Sequence, residues 1–113
     1  MTLIDGRELH ADRSLSCDVV VVGSGPAGSA FAAEAVQHGL TVVVVEAGPW
    51  RQPEDFPESA FAAMAAGYRS MGGSLVVGRA PMPYLQGKMV GGSSPINGAI
   101  CWRLPRDVYD SWL

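Results

Sequence analysis

Residues 23–28 read Gly-Ser-Gly-Pro-Ala-Gly, a G-x-G-x-x-G turn that follows four consecutive valines, Val19–Val22. In that context each glycine has a physical task. Gly23 permits the tight turn out of a strand. Gly25 lets the backbone approach a diphosphate without a Cβ in the way, and Gly28 lets the following helix pack closely on the sheet. The phosphates of a dinucleotide would then meet free N–H groups at the start of that helix, where the dipole favours negative charge. Glu46, eighteen residues after Gly28, closes a second valine run. A carboxylate there can accept hydrogen bonds from ribose hydroxyls and repels a 2′-phosphate, which disfavours NADP. The candidate binding residues of this first motif are Gly23, Gly25, Pro26, Ala27, Gly28, Glu46 and Ala47.

The elements that must position these residues are legible on both sides of the turn. Cys17–Val22 and Leu40–Val45 are apolar runs without alternation, as expected of strands covered on both faces in a parallel sheet. Between them, Pro26 suits a first helical position, small residues follow, and Gly39 suits a left-handed helix end, which predicts a helix over 26–38. Strand, helix and strand within about 30 residues make a βαβ unit, normally right-handed. Residues 1–16 are polar and aperiodic and read as an N-terminal arm. Residues 49–86 carry Pro49, Pro53, Pro57, Gly67, Gly72, Gly73, Pro81 and Pro83. They are expected to form a mostly irregular excursion covering a cofactor, interrupted by one short helix near 59–66.

A second glycine-rich segment, Gly87-Lys88-Met89-Val90-Gly91-Gly92-Ser93-Ser94-Pro95-Ile96-Asn97-Gly98, offers another anion site. Here Ser94 is placed to cap a helix that starts at Pro95, and a last short helix is predicted from Pro105. One fingerprint cannot separate FAD from NAD, since both contain ADP. A cofactor with a long diphosphate-bridged body would use both motifs, and Gly91, Gly92, Ser93, Asn97 and Gly98 are the candidates in the second.

Taken together, the first motif, the Glu46-Ala47-Gly48 strand end and the Gly91–Gly98 segment resemble the glucose-methanol-choline oxidoreductase family over most of residues 17–113. Arg103, Asp110 and Trp112 also match residues common there, whereas Cys101 and Leu104 depart from the usual pattern. The resemblance implies an α/β fold whose Rossmann-like βαβ unit binds FAD and is incomplete on its own. It also implies oxidation of an alcohol by hydride transfer to flavin N5. Residues 91–97 would line the diphosphate and flavin, with Asn97 near the ring. Some relatives attach the flavin through a histidine in this segment, where this chain has Ile96, so noncovalent FAD is expected. The resemblance places the catalytic histidine near the C-terminus of a chain several times longer. No catalytic residue is therefore assigned here, and the remainder of the enzyme is expected in cis or in trans.

Other features narrow the classes. With net charge -3 and pI near 5.2, the chain lacks the basic excess that neutralising nucleic-acid phosphates requires. No apolar run approaches the roughly 20 residues that span a bilayer, and the first 16 residues carry no secretory pattern, so a cytoplasmic location is expected. Cys17 and Cys101 are expected as free thiols, and His10 and His38 as surface residues. No metal site is expected. Four readings remain open on the residues: an FAD-dependent alcohol oxidase or dehydrogenase, an FAD-containing lyase or decarboxylase, a noncatalytic cofactor-binding subunit, and an NAD-binding dehydrogenase domain.

Overall fold

The computed structural model describes residues 2–100 and 102–113. It shows a mixed α/β chain in which β1 (Val19–Val22), α1 (Pro26–Gln37) and β2 (Val42–Val45) follow one another. The two strands are parallel and in register, Val19 opposite Val42 and Val22 opposite Val45. Their entry is latched by side chains, the Asp18 carboxylate accepting from the Thr41 backbone N–H and hydroxyl. These bonds hold the Asp18 carboxyl below its ordinary pKa.

Helix α1 begins where Pro26 fixes φ and ends at Gln37, capped by His38, after which Gly39 takes φ +81°. Its close packing on the sheet comes from Gly28, where an added Cβ would lie 2.1 Å from the Gly23 carbonyl oxygen and 3.2 Å from Val21 Cγ1. α1 thus covers the face of the sheet carrying Val19, Val21, Val42 and Val44. The opposite face carries Val20, Val22, Val43 and Val45, and no described element covers it: Val22 is 87% exposed. The expectation of strands buried on both faces therefore does not hold within this chain, because one helix shields one side of a two-stranded sheet and no more. The strands are also two residues shorter at their N-terminal ends than predicted.

The stretch after β2 is more ordered than its prolines and glycines suggest. A 3₁₀ turn at Pro53–Asp55 leads to α2 (Ala60–Gly67), an alanine-rich segment of high intrinsic helicity. A second 3₁₀ turn, Arg69–Gly72, then leads to the antiparallel ribbon of β3 (Leu75–Val76) and β4 (Met82–Pro83). A bridge between Tyr68 and Gly87 returns the chain to α2. α3 (Arg106–Asp110) follows Pro105, as predicted.

The helix expected from Pro95 is a single 3₁₀ turn, Ser94–Ile96. It stops because Asn97 is extended, with its Oδ1 accepting from the Ala99 N–H at 2.7 Å, and Ala99 itself has φ +55°. A side chain that binds local backbone in this way competes with helical hydrogen bonding. Ser94 lies inside the turn rather than capping it. Ser93 occupies the cap position, and its hydroxyl accepts from the Gly87 N–H at 3.0 Å.

Residues 2–16 hold one 3₁₀ turn, Gly6–Glu8, with the Asp5 carboxylate paired to Arg7. His10 is exposed, and His38 meets Glu34 one helical turn away at 3.1 Å on the exposed face. Cys17 is a free thiol, while Cys101 lies outside the described residues. No helix among the described residues is long and apolar enough to cross a membrane.

Candidate functional site

The best-packed part of the chain is the place where the two glycine motifs meet, not the sheet. Met89 is 1% exposed and Ser24 is 7% exposed, the lowest values among the described apolar and polar residues respectively. Segment 86–90 is stitched between its neighbours by backbone bonds, from Arg69 N–H to the Gln86 carbonyl, from Lys88 N–H to Gly67 and from Val90 N–H to Pro49. These approaches require bare backbone. A Cβ at Gly48 would stand 2.2 Å from Met89 N, and one at Gly87 would stand 2.1 Å from the Gly92 carbonyl oxygen.

Ser24 joins the motifs. Its hydroxyl donates to Glu46 Oε2 at 2.8 Å and accepts from the Gly91 N–H at 3.0 Å. Its backbone N–H donates to the same carboxylate oxygen at 2.9 Å, and the Gly48 N–H reaches Glu46 Oε1 at 2.8 Å. Burial pushes the Glu46 carboxyl up, but the bonds from the Ser24 and Gly48 N–H groups and the Ser24 hydroxyl outweigh it and hold the pKa below the ordinary value. The carboxylate is thus charged at neutral pH. Both carboxylate oxygens are therefore engaged by the first motif, Oε2 by Ser24 and Oε1 by Gly48. Beside it Gly92, at φ +62°, lies so close to the first motif that a Cβ would sit 2.8 Å from Gly25 Cα.

This junction borders an open cleft of about 430 Å³. Of the residues singled out from the sequence, Gly23, Gly25, Pro26, Glu46, Ala47, Gly92 and Ser93 line it. Ala27, Gly28, Gly91, Asn97 and Gly98 do not line it. Gly28 is under α1, Gly91 is bonded to Ser24, and Ala27, Asn97 and Gly98 are exposed. Three further lining residues, Arg69, Tyr84 and Gln86, come from the stretch that composition marked only as an excursion. Nothing in their sequence context distinguishes them. Ser24 also escaped notice, although a hydroxyl between two fingerprint glycines, with an acid ending the next strand, is a signal that could have been used.

The cradle fits the diphosphate part of a dinucleotide. Two glycine-lined turns present backbone without side chains, the start of α1 faces the cleft through Pro26, and a charged carboxylate stands beside them. Such a site defines a nucleotide-binding α/β protein. No group of His, Cys, Asp and Glu among the described residues could hold a metal ion.

Comparison with known proteins narrows the class. The family model for GMC oxidoreductase matches residues 17–113, and the chain belongs to this family, whose N-terminal domain binds FAD. It is 36% identical over 110 residues to an uncharacterized GMC-type oxidoreductase of Sinorhizobium fredii, covering 95% of this chain and 21% of that protein. It is 35% identical over 103 residues to a long-chain-alcohol oxidase of Arabidopsis thaliana, covering 91% of this chain and 14% of that protein. A dehydrogenase of Armillaria gallica is 35% identical over 113 residues, covering 88% of this chain and 18% of that protein. The chain thus spans about a seventh to a fifth of the length of these relatives. No solved structure matches it.

Proposed function

We propose that this chain is the Rossmann-like FAD-binding portion of a flavoprotein oxidoreductase that oxidises an alcohol. The observation that carries the reading is the junction itself. Ser24 ties Glu46 and Gly91 together, Gly92 lies against Gly25, and the two motifs frame one cleft. In this reading the N–H groups of the Gly23–Gly25 turn and the first turn of α1 hold the diphosphate, and Gly92 and Ser93 close on it from the other wall. Glu46, charged and lining the cleft, accepts from the ribose hydroxyls.

Bound FAD would supply the hydride acceptor, at N5 of its ring. The chain's own part is to bind and orient it, with the stitched 86–90 segment holding the second motif in place. Asn97 and Gly98 follow Gly92 and Ser93 along the chain, and the reading gives them the flavin end. Binding is noncovalent, since Ile96 has no nucleophilic atom. Proton removal from the alcohol needs a base with a suitable pKa within hydrogen-bond reach. Neither exposed His10 nor His38, paired with Glu34, lies in the cleft, so that base belongs to the remainder of the enzyme. The printed name of the Arabidopsis relative supports an alcohol as the substrate class.

Visible absorbance of the purified protein, before and after acid precipitation, tests this directly. Flavin bands that pass into the acid supernatant are expected. A colourless protein that gains no bands on incubation with FAD would refute the reading, and a yellow precipitate would refute noncovalent attachment.

A further inference from the structure

Two charged residues line the cleft, Glu46 just after β2 and Arg69 just after α2. Glu46 is bonded by the first motif. Arg69 is half-buried, and among the described residues its guanidinium has no hydrogen-bond or ion-pair partner. A guanidinium that is partly withdrawn from water usually meets a carboxylate or phosphate. No carboxylate is available nearby in sequence: from Ser59 to Arg106 the chain carries Arg69, Arg79, Lys88, Arg103 and Arg106 and no acid.

The backbone around Arg69 is equally specific. Its N–H is held by the Gln86 carbonyl at 2.8 Å, next to the Tyr68–Gly87 bridge. Immediately after it, Ser70 and Met71 both adopt left-handed angles, φ +51° and +53°, followed by Gly72 at +81°. Two successive non-glycine residues rarely take that conformation, and such outliers concentrate at ligand clamps.

We propose that Arg69 is the cationic contact for the diphosphate of the bound dinucleotide, so that the excursion reads the anion's charge while the glycine turns read its shape. This rests on the cleft being the ADP-binding part of the FAD site. Arg69 acts on binding and takes no part in the redox chemistry.

The test uses the complete protein stripped of flavin and titrated with FAD, and in parallel with riboflavin, which lacks phosphates, at several salt concentrations. R69Q is expected to weaken FAD about tenfold to a hundredfold, as for a lost charge-assisted bond, and to leave riboflavin within about twofold. The dependence of FAD affinity on salt should flatten in R69Q and return in R69K, which keeps the charge. Unchanged FAD affinity and salt dependence in R69Q would overturn the proposal. So would equal weakening of FAD and riboflavin with the salt dependence intact, since that pattern reports a packing role. A wild-type protein that binds no FAD fails the underlying reading instead, and the two failures are thereby told apart.

Discussion

Replacing Ser24 by alanine removes one oxygen atom from the point where the two glycine motifs join. That oxygen donates to Glu46 Oε2 at 2.8 Å and accepts from the Gly91 N–H at 3.0 Å, in a residue only 7% exposed. Loss of a hydrogen bond to a charged group costs about 1.5–3 kcal/mol, and an unpaired buried N–H costs about 1–3 kcal/mol. Glu46 keeps its bonds from the Ser24 and Gly48 N–H groups, and the open cleft lets water reach part of the site. The expected destabilisation of S24A is therefore near the low end of the combined range, about 2–3 kcal/mol. Urea denaturation of the flavin-free protein measures it. A cycle of S24A, E46Q and the double variant should show a coupling of about 1 kcal/mol or more, because the two side chains share a bond. If S24A costs less than about 0.5 kcal/mol, the ordinary scatter of surface substitutions, the hydroxyl does not join the motifs and the reasoning fails.

Two other perturbations follow from the same geometry. In G92A the new Cβ would stand 2.8 Å from Gly25 Cα at a left-handed φ, so loss of flavin from the purified protein and destabilisation by about 2 kcal/mol or more are expected. G78A, with nothing within 4 Å of the new Cβ, should retain flavin and change stability by no more than about 0.5 kcal/mol, and equal behaviour of the two variants would refute the close approach. For pH, the Glu46 carboxyl has a folded pKa lowered from 4.5, so its contribution is present above that value and is lost as pH falls through the folded pKa. Denaturation midpoints between about pH 3 and 7 should fall on the acid side less steeply in E46Q than in wild type, and parallel acid limbs would contradict the assignment.

The first motif is the most legible part of the molecule because its physics is local. Four valines, a glycine turn at φ +96°, a proline at the first helical position and a left-handed glycine after the helix each act on their immediate neighbours. They yield β1, α1 and β2 within two residues of the predicted limits. The second motif was legible as glycine-rich, and its helix was over-predicted, because the capping pattern ignores the Asn97 side chain that binds the next turn instead. The excursion was the least legible. Its prolines and glycines report where regular structure stops, and say nothing of the long-range backbone bonds that stitch 86–90 to 49, 67 and 69.

Sequence alone thus determined the βαβ order, the placement of Glu46 beside a glycine turn, the family and the separation of the chain into two glycine motifs. Tertiary structure decided what lies between the motifs. Ser24 is in contact with a residue 67 positions away, Met89 is the most buried apolar side chain among the described residues although it sits in a glycine-rich loop, and Arg69 lines the same cleft as Gly23, Gly25 and Pro26. The physical reason is that a turn glycine or a helix cap answers to forces within a few residues, whereas the partner of a hydroxyl or the wall of a cleft depends on which distant backbones can approach. That approach is set by where a Cβ is absent on both sides at once, as at Gly25 and Gly92.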